Sequence, residues 1–126
     1  MRRAAVALAL AAACGGGRPA VTSCDDDLTG VWRDRDTGAA YDAIDARRTI
    51  ELHPMFDSAG PADSAHALAL TRSPGAPGAI IDGHEVFWRD GARVRWPASL
   101  KTCTDDTLWI TVQRDGRPAT LTLAPR

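Results

Sequence analysis

The sequence predicts an all-β domain, a small antiparallel meander of seven to eight short strands closed into a barrel or a sandwich, after an N-terminal signal helix. Apolar and polar residues alternate with a period of two in short runs, and turn-forming residues separate these runs. Beyond residue 13 no long stretch has the 3.6-residue period of a helix. The length of 126 residues has room for a single domain, which we place at residues 24–126.

Five short runs precede the clearest hairpin, at residues 30–33, 39–44, 49–53, 66–72 and 79–82. In the third run Ile50 and Leu52 share a face, and in the fourth Leu68 and Leu70 do so. In the second run Tyr41 and Ile44 cannot share a strand face, so this run predicts either a bulged strand or a short helix.

Asp90-Gly91 predicts a two-residue hairpin turn, because both central positions of such a turn need positive φ. Pairing outward from this turn puts Phe87, Val94 and Trp96 on one face and Val86, Trp88, Arg93 and Arg95 on the other. Since arginine is rarely buried without a partner, the first face is predicted to be core. Trp88 then lies outside between two guanidiniums, an arrangement that favours cation–π contacts.

The last two strands follow the same pattern. Leu108, Ile110 and Val112 are predicted to face inward and Trp109 outward, and Asp115-Gly116 predicts a turn before inward-facing Leu121 and Leu123. Trp and Arg are favoured at partner surfaces, so Trp88, Arg93, Arg95 and Trp109 form a candidate interaction surface. The alternative, that a second sheet or the N-terminal segment covers the two tryptophans, stays open.

The N-terminus has the features of an export signal. Residues 1–13 combine Arg2-Arg3, an uncharged run of ten residues and the small residues Ala11-Ala12-Ala13. With Cys14 directly after them, Ala12 and Ala13 resemble the lipobox of bacterial lipoproteins, although Ala11 stands where that motif usually has Leu. The resemblance implies a lipidated Cys14, a flexible tether over residues 14–23, and a membrane partner reached through the lipid anchor. The expected location is the cell envelope, as an outer-membrane lipoprotein facing the periplasm or the surface; cleavage after Ala13 without lipidation is the alternative.

The other two cysteines, Cys24 and Cys103, are predicted to form a disulfide, because exported chains meet an oxidising compartment. This bond would draw together Asp25, Asp26, Asp27, Asp105 and Asp106. Carboxylates suit Ca²⁺, but their spacing matches no known calcium loop, and aspartate is common in turns for its own hydrogen bonds. These five residues are weak metal candidates, and we predict no metal and no cofactor.

Charge and motifs exclude several function classes. Removing residues 1–13 takes Arg2 and Arg3 from the 15 basic residues and leaves 13 against 16 acidic ones, a net charge of −3. This balance predicts no nucleic-acid partner. The three histidines His53, His66 and His84 are scattered, and no HExxH, GxSxG, P-loop or GxGxxG motif is present. No catalytic residue is predicted, and a small hydrolase is kept as the minor alternative, to be revived by a histidine, an acid and a serine or metal in one cleft.

Gly30 and Trp32, within the stretch Leu28 to Arg33, resemble the Gly-x-Trp motif of lipocalins and other calycins. The resemblance implies that Trp32 packs across the closed end of a barrel, beside an arginine from the last strand, with Arg117 or Arg126 in that role. An ordinary buried tryptophan is the alternative. We therefore expect a non-catalytic, calycin-like module that binds a small apolar ligand. A barrel filled by side chains would instead favour a structural or protein-interaction domain with an envelope-protein partner.

Overall fold

A computed structural model describes residues 19–55, 66–75 and 78–125, and Cys14 and the signal segment lie outside this part. Its secondary structure consists of eight β-strands. They are β1 (Gly30–Asp34), β2 (Ala40–Asp45), β3 (Thr49–Pro54), β4 (Ala67–Ser73), β5 (Ile80–Arg89), β6 (Ala92–Thr104), β7 (Thr107–Arg114) and β8 (Arg117–Pro125). Within the described residues, no helix is long and apolar enough to cross a membrane.

The strands form a closed antiparallel barrel in simple chain order, so the all-β prediction is confirmed and the barrel is the form adopted. Each strand pairs with the next one along the chain, and β1 closes the ring against β8, with Trp32 opposite Pro125 and Asp34 opposite Leu123. Closure leaves no free sheet edge among these eight strands.

Two-residue turns set the register of the second half of the barrel. At Asp90-Gly91, Asp105-Asp106 and Asp115-Gly116 both central residues have positive φ, between 51° and 81°. This is the geometry of type I′ turns, whose twist matches that of the flanking strands. The predicted register from Asp90-Gly91 is confirmed, with Trp88 opposite Arg93 and Phe87 opposite Val94.

Aliphatic side chains fill the middle of the barrel. The inward residues predicted from the period of two are all buried: Ile50, Leu52, Leu68, Leu70, Leu108, Ile110, Val112, Leu121 and Leu123. Phe87 is buried as well, while Val94 and Trp96 on the same face are half-buried. The interior of the barrel is therefore packed with side chains over most of its length.

Three details differ from the predicted elements. β2 is a regular strand rather than a bulged strand or a helix, and the conflict between Tyr41 and Ile44 is resolved because Ile44 points outward and is 50% exposed. The runs around Ile81 and Phe87 belong to one long strand, β5. β6 continues seven residues past Pro97, and its pairing with β7 begins only at Ala98, so the missing N–H of the proline costs no ladder bond.

The N-terminal segment closes one end of the barrel. Val21 and Leu28 are fully buried against the core, and a disulfide joins Cys24 to Cys103 as predicted. Beneath this segment Arg72 forms an ion pair with Asp45 and donates hydrogen bonds to the carbonyls of Cys24 and Asp26. We call this end, formed by residues 21–28 and the turns they contact, the closed end.

Gly83 lets β4 and β5 approach each other closely. A Cβ at this position would lie 2.0 Å from the carbonyl oxygen of Ala69 and 2.8 Å from the Cα of Leu70. Real Cβ atoms do not approach backbone atoms this closely, so only glycine fits without a shift of the strands.

Candidate functional site

A charged residue lies inside the barrel near the end opposite the closed end. Glu85 shares the inner face of β5 with Ile81 and Phe87, and it has no exposed surface. A carboxylate without water around it must be matched by hydrogen bonds and opposite charge. Its partners come from the end of β7 and from the residue before β4, and they define the candidate site.

Arg114, at the end of β7, holds Glu85 through two hydrogen bonds. Its Nε donates to Oε1 at 3.0 Å and its Nη2 donates to Oε2 at 2.9 Å, which is the bidentate geometry of a strong ion pair. Burial alone would raise the pKa of Glu85, but the hydrogen bonds from His66 and Arg114 and the charge of Arg114 outweigh it and lower the pKa below 4.5. Glu85 is therefore an anion at neutral pH.

His66 completes this pair from the residue before β4. Its Nδ1 lies 3.2 Å from Oε1 of Glu85. Its ring stacks on Phe87, with centroids 4.1 Å apart and planes 14° from parallel, and it meets the edge of Trp96. These contacts fix the orientation of the imidazole on three sides.

Tyr41 and Asp34 lie next to this cluster and are almost fully buried, at 6% and 2% exposure. The pKa of Tyr41 is raised to about 12, mainly by burial, then by the negative charges of Glu85 and Asp34. The hydroxyl of Tyr41 is thus a neutral donor at any physiological pH. One carboxylate oxygen of Asp34 accepts a hydrogen bond from the backbone N–H of Asp36 at 3.0 Å.

These side chains line a pocket of about 390 Å³ at the open end of the barrel, which we call the mouth. Its polar lining comes from Asp34, Asp36, Thr37, Tyr41, His66, Arg114 and Thr120, and its apolar lining from Ala39, Pro54 and Leu121. A volume of this size accepts a small molecule. The mouth therefore offers hydrogen-bond donors, carboxylates and a short apolar wall to one ligand.

Gly30 and Trp32, the residues of the Gly-x-Trp motif, lie at the other end. Trp32 is fully buried and its Nε1 donates a hydrogen bond to the carbonyl of Leu28 at 2.9 Å, so it packs against the closing segment. Gly30 has a φ of 145°, a conformation that glycine adopts far more readily than other residues. Arg117 lies at the start of β8, far from Trp32, and Arg126 falls outside the described residues.

The five aspartates also gather at the closed end, where the carboxylates of four of them act as hydrogen-bond acceptors. Asp26 accepts from the N–H groups of Thr22 and Ser23, which lower its pKa, and Asp106 accepts from the N–H of Val21. Asp27 accepts from the N–H of Thr29 and Asp25 from that of Ala79, while Asp105 lies in the β6–β7 turn. Among the described residues no group of three or more His, Cys, Asp or Glu side chains could hold a metal ion.

The candidate interaction surface divides into two regions. Trp88 is 64% exposed, beside Arg93 and Arg95 on the outer wall of β5 and β6. Trp109 is half-buried on β7. The two tryptophans pair with distant positions on β6. Trp88 is opposite Arg93 and Trp109 is opposite Thr102, and these two β6 residues are nine positions apart, about 30 Å at the rise of a strand.

The expected stacking of arginine on Trp88 is not among the contacts of the described residues. The guanidinium of Arg89 instead lies 5.3 Å from the ring centroid of Phe87 and 5.4 Å from that of Trp96. Trp88, Arg93 and Arg95 remain neighbours without such a contact. A surface groove of about 540 Å³ runs beside Arg93 and Arg95, across Ala69 and Gly83.

Sequence reasoning missed the mouth, although a signal for it exists. Each of the three polar residues lies two positions from a core residue, and residues two positions apart share a face of a strand. These pairs are Glu85 with Phe87, Arg114 with Val112, and His66 with Leu68. Extending the period of two to the strand ends would have placed these polar groups inside the barrel.

Neither a protein-family model nor any curated protein or solved structure matches the chain.

Proposed function

We propose that this chain is an exported, lipid-anchored, non-catalytic binding protein that takes a small molecule at the mouth of its barrel. One observation carries the proposal: two almost fully buried polar side chains, Tyr41 and Asp34, line a pocket of about 390 Å³. Among the described residues the Tyr41 hydroxyl has no hydrogen-bond partner. The hydroxyl is not sealed inside the barrel, because Arg72 Nε is the one fully buried side-chain polar atom without a partner among the described residues. A ligand in the pocket can therefore accept its hydrogen bond.

The proposed ligand differs in character from the wholly apolar one that the sequence favours. The aliphatic core occupies the middle of the barrel, so a ligand has to stay near the open end. There it meets the apolar side chains of Pro54 and Leu121 on one side and the polar lining on the other. A small molecule with an apolar body and one or two polar groups fits this lining best.

A screen of small fragments tests this proposal. The isotope-labelled full-length chain, as isolated from expressing cells, is titrated with neutral, anionic and cationic fragments while its backbone amides are followed by NMR. We expect bound fragments to shift the amides of Asp36, Thr37 and Ala39. Tyr41→Phe should weaken binding of hydroxyl-accepting fragments by about threefold to tenfold, the value of one hydrogen bond. Trp88→Ala, a change on the outer wall, is the matched control and should leave these shifts unchanged.

A screen in which no fragment of any charge shifts the mouth amides would overturn the proposal. Shifts confined to the outer wall would favour the second candidate function, a protein-interaction domain. Two observations support that candidate. Side chains pack the interior of the barrel over most of its length, and Trp88 is 64% exposed beside Arg93 and Arg95, residue types that favour partner surfaces. An envelope protein cross-linked through this wall, and lost in Trp88→Ala but not in Tyr41→Phe, would establish it.

The lipid anchor is tested separately, because it rests on the resemblance of Ala12-Ala13-Cys14 to a lipobox. Palmitate labelling of expressing cells should mark the wild-type chain and not Cys14→Ser. Equal labelling of both would remove the anchor from the proposal and leave export.

Hydrolysis stays the minor alternative. His66 and Glu85 supply a histidine and an acid within 3.2 Å. Among the described residues, no serine or cysteine hydrogen bonds to His66. Turnover of a chromogenic ester that disappears in His66→Gln would bring this alternative forward.

A further inference from the structure

We propose that the mouth selects a small organic cation, an ammonium or guanidinium group on a compact apolar body, with Asp34 as its counter-ion. This inference rests on the proposed function and names the ligand class for the same site. It follows from the distribution of charge around the pocket and from the hydrogen bonds that each charged group already makes.

The positive charge in the mouth is already matched. Arg114 spends its Nε and Nη2 on Glu85, so its charge is neutralised within the barrel. Two further guanidiniums belong to segments that flank the pocket. That of Arg89 lies over Phe87 and Trp96 and pairs with Asp115 at 3.6 Å, and that of Arg33 donates a hydrogen bond to the carbonyl of Gly38 at 2.6 Å. The charges of Arg114 and Arg89 are thus each paired with a carboxylate, and Arg33 is held by a backbone carbonyl on the outer face of β1.

Negative charge in the lining of the mouth exceeds positive charge. Among the described residues Asp34 and Asp36 form no ion pair, although both line the pocket. Counting Glu85, three carboxylates face one guanidinium, which leaves a net charge of −2 with neutral His66 and −1 with protonated His66. Both protonation states of the histidine favour a cation.

The same charges act on Tyr41, whose pKa is raised first by burial and then by the neighbouring carboxylates. The carboxylates of Glu85 and Asp34 both disfavour a phenolate at Tyr41, and Arg114 only partly offsets them. A group placed beside the Tyr41 hydroxyl therefore experiences a negative field. Asp34 is 2% exposed, and a carboxylate with so little water around it attracts a cation more strongly than one on the surface.

The pocket has room for a compact cation with an apolar body. Pro54, Leu121 and Ala39 form its apolar wall, and about 390 Å³ holds a single ring with a one-carbon arm. Benzylammonium is such a molecule. Benzyl alcohol is neutral and benzoate is an anion, and both have nearly the same shape as benzylammonium. Comparing the three compounds therefore separates the effect of charge from the effect of shape.

The test uses these three probes on the full-length chain, followed by the backbone amide of Asp36, which donates to Asp34. We expect benzylammonium to bind at least tenfold more tightly than benzyl alcohol, and benzoate not to saturate the site. Asp34→Asn should remove this tenfold preference while leaving the affinity for benzyl alcohol unchanged. Asp42→Asn, the same loss of charge on the outward face of β2, is the matched control and should keep the preference.

Each outcome has a distinct meaning. Equal affinity for benzylammonium and benzyl alcohol in the wild-type chain overturns the cation inference and leaves small-molecule binding at the mouth intact. Tighter binding of benzoate overturns it as well. Failure of all three probes, together with an empty fragment screen, removes both the inference and the proposed function. The comparison of probes on the wild-type chain decides the question even where Asp34→Asn does not fold.

Discussion

Arg72 and Asp45 form an ion pair inside the closed end of the barrel, with 2.8 Å between Nη1 and Oδ1 and side-chain exposures of 8% and 0%. Asp45 also accepts hydrogen bonds from the N–H groups of Leu28 and Arg47. The pair thus connects β2 and β4 to the segment that closes the barrel. Loss of one partner leaves the other charge buried without compensation.

Asp45→Ala is therefore expected to lower the free energy of unfolding by about 3–5 kcal/mol, the cost typical of breaking a buried pair from one side. Urea denaturation measures this loss. Glu51→Ala is the control, because Glu51 pairs with His53 on the surface, where a pair is worth about 0–1 kcal/mol. Equal losses in the two variants would show that the Arg72–Asp45 pair is not specially stabilising.

Acid is expected to weaken the fold through Glu85 and Asp45. Burial raises the pKa of each carboxylate, but the hydrogen bonds and positive charges of its partners lower it below the ordinary value. A group with a lowered pKa in the folded state stabilises the protein above its unfolded pKa, about 4.5 for Glu85 and 3.8 for Asp45. The free energy of unfolding should thus fall as the pH drops through these values and below.

Urea midpoints from pH 7 down to pH 2.5 test this pH dependence. Glu85→Gln should flatten the fall, because the side chain no longer binds a proton on unfolding. Arg114→Met should flatten it too, since it removes a cause of the lowered pKa. A wild-type midpoint that stays constant over this range, or a Glu85→Gln slope equal to that of the wild type, would contradict the assignment.

The Cys24–Cys103 disulfide is expected to contribute strongly to stability. It joins residues 79 positions apart, and the loop-entropy model gives about 4.5 kcal/mol for a loop of this length. Cys24→Ser/Cys103→Ser should lower the free energy of unfolding by up to that amount, measured by urea denaturation. Reductant should reproduce the loss in the wild type and have no effect on the double variant. An unchanged midpoint in reductant would refute this expectation.

Gly83→Ala is expected to destabilise the barrel by about 1–3 kcal/mol, the usual cost of overpacking, because the new methyl group meets the backbone of β4. Gly78→Ala is the matched control, since a Cβ there meets only the carboxylate of Asp25 at an ordinary 3.5 Å. Thermal unfolding of both variants measures the difference. A Gly83→Ala midpoint at or above that of Gly78→Ala would mean that β4 and β5 separate without cost.

The fold could be predicted from the sequence because local features determine it. Asp90-Gly91 sets the register of its hairpin, and the alternation of Leu108, Ile110 and Val112 identifies the inner face of β7. Whether the meander closes into a barrel depends on β1 meeting β8, which are distant in sequence, so pattern alone left barrel and sandwich open.

The mouth could not be found in the same way, because its residues are far apart in the chain. The charged residues Glu85, Arg114 and Asp34 come from three different strands. Each occupies a position at which the alternation of the strand calls for an inward-facing core residue. A polar residue on an inner face is ordinarily interpreted as an error in the pattern. Near the open end of a barrel it instead marks where the interior meets solvent.

The disulfide has a consequence for how the protein would stand on a membrane. Cys14 precedes Cys24 by ten residues, a length that spans at most about 35 Å. Because Cys24 is bonded at the closed end, a lipid on Cys14 would hold that end within about 35 Å of the bilayer, and the mouth would be the end farther from the attachment point. The barrel would then collect its ligand from solution, not from the lipid phase beneath it.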